Sequence, residues 1–340
     1  MLDTLKTLCQ LDGVSGWEDE VRDYILERVM PYASSVETDS MGNLIVTKKG
    51  KKTPARKILL AAHMDEVGII VTRIADDGFV HFDFIGGVDR RVVIGKRVYI
   101  GRGRVPGIIG SKPIHLLEKG EEKTVPKLDD MYIDIGAATK EEAENFVFLG
   151  DEGVFDDSVL EFGDGFLKAK AIDDRVGCAA MLRLLEQELP CDCTFAFTVQ
   201  EEVGTRGATI AAARVKPDVA IVLEGTTAAD LPGVDEGKRI CKLGGGLVLP
   251  FMDRGTLYTP ALWKRATEIA DANGIQWQTK TRIAGGTDAR VIQRGGMGCA
   301  VVAISAPIRN IHSPASVAKF SDFRDMPKLA LLLLEALAED

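Results

Sequence analysis

The sequence predicts an α/β protein, a mixed-sheet α/β/α sandwich interrupted by an inserted β-rich block. Three observations predict it. Ile58-Leu-Leu-Ala-Ala62 is a continuous apolar run, the pattern of a strand buried on both faces of a helix-covered sheet. From Ile69 to about Gly163 short β-branched stretches alternate with Gly, Asp and Pro, and only Lys140 to Asn145 has helical character. From Leu167 onward strands and helices alternate to the C-terminus.

In chain order, Leu2, Leu5, Leu8 and Cys9 recur at helical spacing, and a turn follows at Gly13 to Gly16. A second helix runs from Glu18 to about Val29, ended by Pro31. Asn43 to Thr47 reads as a short strand, and Lys48 to Lys57 as a basic loop before the buried strand 58–62. Within the β block, Ala75-Asp-Asp-Gly78 reads as a hairpin turn, and Arg91 to Ile100 and Val105 to Ile109 as strands. Arg175 to Leu189 is a strong helix with Asp173 and Asp174 placed to cap it. Strands are then expected at 194–199, 219–223, 276–282 and 299–304. Helices are expected at 208–213, 260–273, 288–293 and 323–338. The simplest arrangement assigns residues 1–66 and 166–340 to one α/β domain and residues 67–165 to the insertion.

Composition narrows the class. Hydrophobic residues make up 46% of 340 residues, enough for a large core without disulfides. A net charge of −9 argues against nucleic acid and anionic membranes as partners. The apolar run Leu329 to Leu334 is far short of the roughly 20 residues a bilayer span needs. The N-terminus has no basic start followed by an apolar stretch, so no signal peptide is read there. Six Cys without a regular framework fit a reduced, cytoplasmic protein, with Cys191 and Cys193 as buried small side chains.

The chemistry gathers at strand ends. His63 directly follows strand 58–62, and His312 follows strand 299–304 by a short loop. Asp173 follows the Leu167 to Ala171 stretch, Glu201 and Glu202 end strand 194–199, and Glu224 ends strand 219–223. Active sites of open α/β sheets sit at the carboxyl ends of strands. A carboxylate there is dry on one side and demands a cation or a hydrogen-bond network. Mixed His and carboxylate donors suit zinc, cobalt or manganese, and three acidic with two neutral ligands can hold two divalent ions if one carboxylate bridges. His81 and His115 read as structural, and Gly244-Gly-Gly246 as a flexible loop because no Gly-Lys-Ser/Thr phosphate signature follows.

His63-Met-Asp65-Glu, Ala171-Ile-Asp173-Asp-Arg175-Val-Gly177, Gln200-Glu201-Glu202-Val-Gly204 and Arg309-Asn-Ile-His312-Ser-Pro-Ala together resemble the dinuclear metalloaminopeptidases that form tetrahedral particles, the TET aminopeptidases. That family includes glutamyl aminopeptidases and proteins once labelled cellulases. Gly110-Ser-Lys-Pro-Ile-His115 and Gly285-Gly-Thr-Asp-Ala289 also match its pattern, and the resemblance runs nearly the whole chain. It implies a metallopeptidase domain with a PDZ-like or small-barrel insertion that serves dimerisation and assembly. It implies two divalent ions per subunit, bridged by Asp173, with His63 and Glu224 on one ion and Glu202 and His312 on the other. It implies Glu201 as general base, Asp65 as the residue that orients His63, and a non-proline cis peptide at Asp173–Asp174. Related enzymes often carry Asp where this chain has Glu224, so that ligand is one methylene longer here. The implied activity is removal of N-terminal residues from short peptides, in a cytoplasmic homododecamer built from dimers.

Two other functions compete. A glycan hydrolase needs two carboxylates flanking a sugar and no metal, and two His at strand ends argue against it. A non-catalytic peptide-binding shell would have no reason to keep Glu201 beside a full ligand set.

Overall fold

The structure, a computed structural model, describes residues 1–339. Its main sheet has eight strands in the order Ser35–Thr38, Leu44–Lys48, Cys193–Thr198, Ile58–His63, Val219–Thr227, Ala300–Ile308, Leu247–Val248, Trp277–Gln278. The four central strands, Cys193–Thr198 through Ala300–Ile308, run parallel, and antiparallel pairings extend the sheet on both sides.

Strict alternation divides the central strands between two cores. Ile58, Leu60 and Ala62 pack with helices Leu2–Gln10, Asp19–Val29, Ile172–Leu185, Pro260–Ala272 and Met326–Leu337. Leu59 and Ala61 face the other way, onto Arg206–Val215 and Ala289–Ile292. Val219, Ile221 and Leu223 against Ala220 and Val222 repeat the division. Successive side chains of a strand point to opposite faces, so a strand covered on both sides must be apolar throughout. Each fully buried large aliphatic in these strands contributes about 1.5–3 kcal/mol.

The inserted block is a closed six-stranded barrel, in the order Gly68–Ile74, Val80–Ile85, Met131–Asp134, Val105–Ser111, Arg97–Ile100, Glu152–Phe155. All its pairings are antiparallel, and closure leaves no free edge. It has its own core, including Ile69, Phe82, Ile100 and Ile133. The hairpin at 75–78 forms as expected. Gly78 has φ +83, and a Cβ there would stand 2.5 Å from the Ala137 carbonyl oxygen.

Several elements differ from the expectations. The strand expected at 91–100 is a 3₁₀ turn, Arg90–Val92, followed by a short strand, Arg97–Ile100. The strand expected at 276–282 is only Trp277–Gln278, because its partner Leu247–Val248 is itself two residues long. The closing helix is broken into Phe320–Phe323 and Met326–Leu337, and Pro327 lies in the first turn of the second piece, where its missing N–H costs no helical bond. The stretch before Asp173 belongs to a separate three-stranded sheet, Leu160–Phe162, Phe166–Ala169 and Ser316–Lys319. Among the described residues no helix is long and apolar enough to cross a membrane.

Candidate metal centre

His63, expected just after strand 58–62, is the strand's last residue and is 2% exposed. Its ring is oriented from behind. Nδ1 lies 3.1 Å from the Asp65 carbonyl oxygen and 3.3 Å from Asp65 Oδ1. Nε2 therefore points forward, 3.3 Å from Glu224 Oε1 and 3.5 Å from Asp173 Oδ1.

Two of the acidic residues arrive by routes the sequence did not disclose. Glu224 lies inside its strand, because pairing with Ala300–Ile308 continues to Thr227. Asp173 comes from no end of the main sheet. It lies in the first turn of Ile172–Leu185, where Asp173 and Asp174 have non-helical backbones and are joined by a cis peptide bond. Only four of the five expected sites are thus carried by main-sheet strands or the loops leaving them. Gly225 makes room for the fifth, since a Cβ on it would stand 2.6 Å from Asp173 Oδ1.

His312 has φ +56 and turns its Nε2 to within 3.3 Å of Glu202 Oε2 and 3.5 Å of Asp173 Oδ2. The two oxygens of Asp173 thus face two different imidazoles, each accompanied by its own glutamate. All five residues expected to bind metal come together. Ligand-type atoms of His63, Asp173 and Glu202 lie within 4.8 Å of one another, as do those of His63, Asp174 and Glu224.

Asp174 is the carboxylate that sequence reasoning missed as part of this centre. The sequence places it as a helix cap, and its Oδ1 does accept the Gly177 N–H at 3.0 Å. Its Oδ2 also accepts the backbone N–H of His63 at 3.2 Å, which commits it to holding the strand end. Asp65 is similarly committed. It accepts the N–H groups of Glu201 and Glu202 at 2.9 and 3.1 Å and the Ser15 hydroxyl at 2.6 Å.

The electrostatics call for cations. Six carboxyl groups, of Asp65, Asp173, Asp174, Glu201, Glu202 and Glu224, surround two imidazoles. Burial pushes Glu224 and Glu201 well above the usual carboxylate range, with His63 opposing. Burial likewise raises Glu202 to about 7, against the pull of His312. Burial alone would lower both imidazoles. Glu224 and its neighbours lift His63 well above its ordinary value, and Asp173 and Glu202 lift His312 to about 9. Asp173 Oδ1 is buried without a hydrogen-bond partner. An orphaned carboxylate oxygen between two imidazole–glutamate pairs fits divalent cations held by mixed N/O donors.

A cleft lined by Glu66, Val67, Phe155, Asp173, Glu202 and His312 opens at the centre, with Phe155 supplied by the barrel. His312 is its accessible edge, at 36% side-chain exposure against 2% for His63.

A family model described as M42 glutamyl aminopeptidase matches residues 42–329. The chain belongs to this family. A putative aminopeptidase of Acetivibrio thermocellus is 40% identical over 99% of this chain and 98% of its own length. The TET aminopeptidase structure from a marine sediment archaeon, Thaumarchaeota archaeon SCGC AB-539-E09, superposes with a TM-score of 0.94 at 36% identity, covering 99% of this chain and 98% of that one. The TET1 peptidase of Pyrococcus horikoshii, described as assembling into a tetrahedron or a large octahedral shell, superposes with a TM-score of 0.85 at 33% identity, with 99% and 98% covered. This M42 chain is therefore an aminopeptidase, a hydrolase of peptide bonds, and it shares the TET architecture of a catalytic α/β domain with an inserted small β domain.

Proposed function

We propose that this M42 aminopeptidase removes N-terminal residues from short peptides with two divalent ions per subunit. The observation that carries the reading is the division of Asp173, with Oδ1 toward His63 and Oδ2 toward His312. Asp173 would bridge the two ions. His63 and Glu224 complete the protein ligands of one, Glu202 and His312 those of the other. Zinc or cobalt suits these donors best, with manganese as the alternative.

When bound, such ions polarise the scissile carbonyl and bring the pKa of an attacking water toward the value of about 7 seen with zinc. The residues do the rest. Glu201 takes a proton from the attacking water and returns it to the leaving amine, a role that typically contributes ~10²–10⁴-fold. Its backbone N–H is held by Asp65, so the base and the His63 ring share one anchor. The buried flank of the site, at His63 and Glu224, excludes bulk water, while the open His312 side admits the peptide.

Residues 1–66 and 166–340 form the catalytic unit in this reading, and 67–165 the assembly unit. The assembly is a homododecamer built from dimers. Exposed Ile114, Leu116, Phe146, Phe148 and Leu149 on the inserted block support an interface between copies. Six free, buried cysteines support a cytoplasmic setting.

The test is hydrolysis of an aminoacyl chromogenic substrate by chelated protein before and after metal is restored, beside the same substrate N-acetylated. Metal-dependent cleavage of the free-amine substrate alone is expected. Equal cleavage of both would overturn the aminopeptidase mechanism, and full activity after complete chelation would overturn the metal centre.

A further inference from the structure

Three consecutive backbone N–H groups of the loop after Cys193–Thr198 are each taken by a buried carboxylate. Those of Glu201 and Glu202 go to Asp65. That of Gln200 goes to Glu18 Oε1 at 3.1 Å. Glu18 comes from a different part of the chain, the turn between the first two helices, and is 3% exposed. Its Oε1 also accepts the Gly16 N–H at 2.8 Å, which closes the turn around the carboxylate. The turn is itself pinned beside the His63 strand end, through Ser15 N–H to Glu66 O at 3.3 Å and Glu66 N–H to Gly13 O at 2.9 Å.

Gln200 needs such an anchor. It has φ +56, a left-handed conformation that an L residue with a side chain adopts only when its surroundings impose it. Reversal of the backbone at Gln200 aims the next two residues at the centre. Without the Glu18 bond this partly buried N–H would lose its protein partner, and the left-handed turn would lose the bond that holds it from the N–H side. The Arg206 N–H holds the Gln200 carbonyl at 3.1 Å and the two Asp65 bonds lie beyond the reversal, so neither satisfies the Gln200 N–H itself.

We propose that Glu18 is a positioning residue, which holds Gln200 in its left-handed turn and thereby sets Glu201 and Glu202 in place. The inference rests on the roles given above to those two glutamates. Burial places the Glu18 carboxyl at about 7, with the Gly16 and Gln200 N–H groups opposing the rise. Acceptance of two N–H bonds by Oε1 requires an oxygen and not a charge, so a neutral amide can replace the carboxylate.

The test compares Glu18→Ala, Glu18→Gln and Glu18→Asp in the full-length protein by two readouts. The first is amide exchange, by mass spectrometry without metal, of the segment containing residues 200–202. The second is kcat, KM and cobalt affinity of the loaded enzyme. In Glu18→Ala the segment should exchange about tenfold faster while the central strands keep their protection. Its kcat and cobalt affinity should fall about 10–100-fold with KM within about twofold. Glu18→Gln should restore both readouts. Glu18→Asp, one methylene short of Gln200, should behave like Glu18→Ala, and it decides the matter if the alanine variant fails to fold. Parental exchange and kcat in a folded Glu18→Ala or Glu18→Asp variant would overturn the proposal. Glu201→Gln in the same series separates the two readings. If that variant keeps full activity, the assignment of the base falls, while exchange at 200–202 still judges Glu18.

Discussion

The backbone N–H of His63 donates to Asp174 Oδ2 at 3.2 Å. The same carboxylate caps the regular turns of Ile172–Leu185 that follow it, through Gly177 N–H. One buried side chain therefore ties the end of the His63 strand to the start of the helix behind Asp173. Asp174→Ala should lose both bonds and cost about 1–3 kcal/mol of stability. Urea denaturation measures that loss, and zinc titration should show affinity reduced about 10–100-fold. A variant with parental zinc affinity would show that the tie is structural only.

Metal should couple strongly to folding at this centre. Several carboxyl groups are buried against one another here, and ions bound at the proposed sites should relieve that repulsion in the folded state alone. Free ion at 100 times its Kd should stabilise by about 2.7 kcal/mol per site, and chelation should lower Tm accordingly. Elemental analysis of protein reconstituted in zinc should approach two ions per chain. Asp173→Ala should lose both, because its two oxygens face the two imidazoles.

Glu201→Gln should separate turnover from metal binding. In the proposed mechanism Glu201 is the base and not a ligand, so the variant should keep its metal content and lose kcat by about 10²–10⁴-fold. Steady-state kinetics and elemental analysis on the same preparation decide it. Near-parental kcat would mean that another group takes the proton.

Behind the centre, Glu66 is 2% exposed and accepts from two cations that are themselves buried, Lys170 and Arg175. Arg175 also donates to the Met64 carbonyl at 2.7 Å, and Lys170 to that of Leu11 at 2.8 Å. Glu66→Ala leaves two positive charges in the core with one partner fewer. The expected loss is about 3–5 kcal/mol, read from the urea midpoint of the apo protein. A loss under about 1 kcal/mol would mean that the carbonyls and Asp12, whose Oδ1 lies 3.7 Å from Lys170 Nζ, suffice.

Assembly is open to light scattering. Metal-loaded protein should run near twelve times the 36.8 kDa chain mass. A monomer across micromolar concentrations would reject the particle while leaving the catalytic assignment standing. Phe146→Asp together with Phe148→Asp on the barrel should shift the population toward smaller species without altering the circular dichroism spectrum.

Much of this protein is local, and its sequence determined that part alone. The run 58–62 reads as a strand covered on both faces, because five consecutive apolar residues leave neither side of a strand for water. The change of texture after Gly68 marks a small β-rich block, because short antiparallel strands need frequent turns; its closure into a barrel is a tertiary fact. His63, Glu201, Glu202 and His312 stood out because each follows an apolar strand directly or by a short loop. Other features depended on which segments meet. Glu224 lies within a strand only because a neighbouring strand keeps pairing past it. Asp173 reaches the centre from a helix start beside a separate small sheet, and no periodicity reports that approach. The bond from Gln200 to Glu18 spans 182 positions. Periodicity records which side chains leave water. Which carboxylate meets which N–H or imidazole depends on how distant segments pack, and only the tertiary structure decided that.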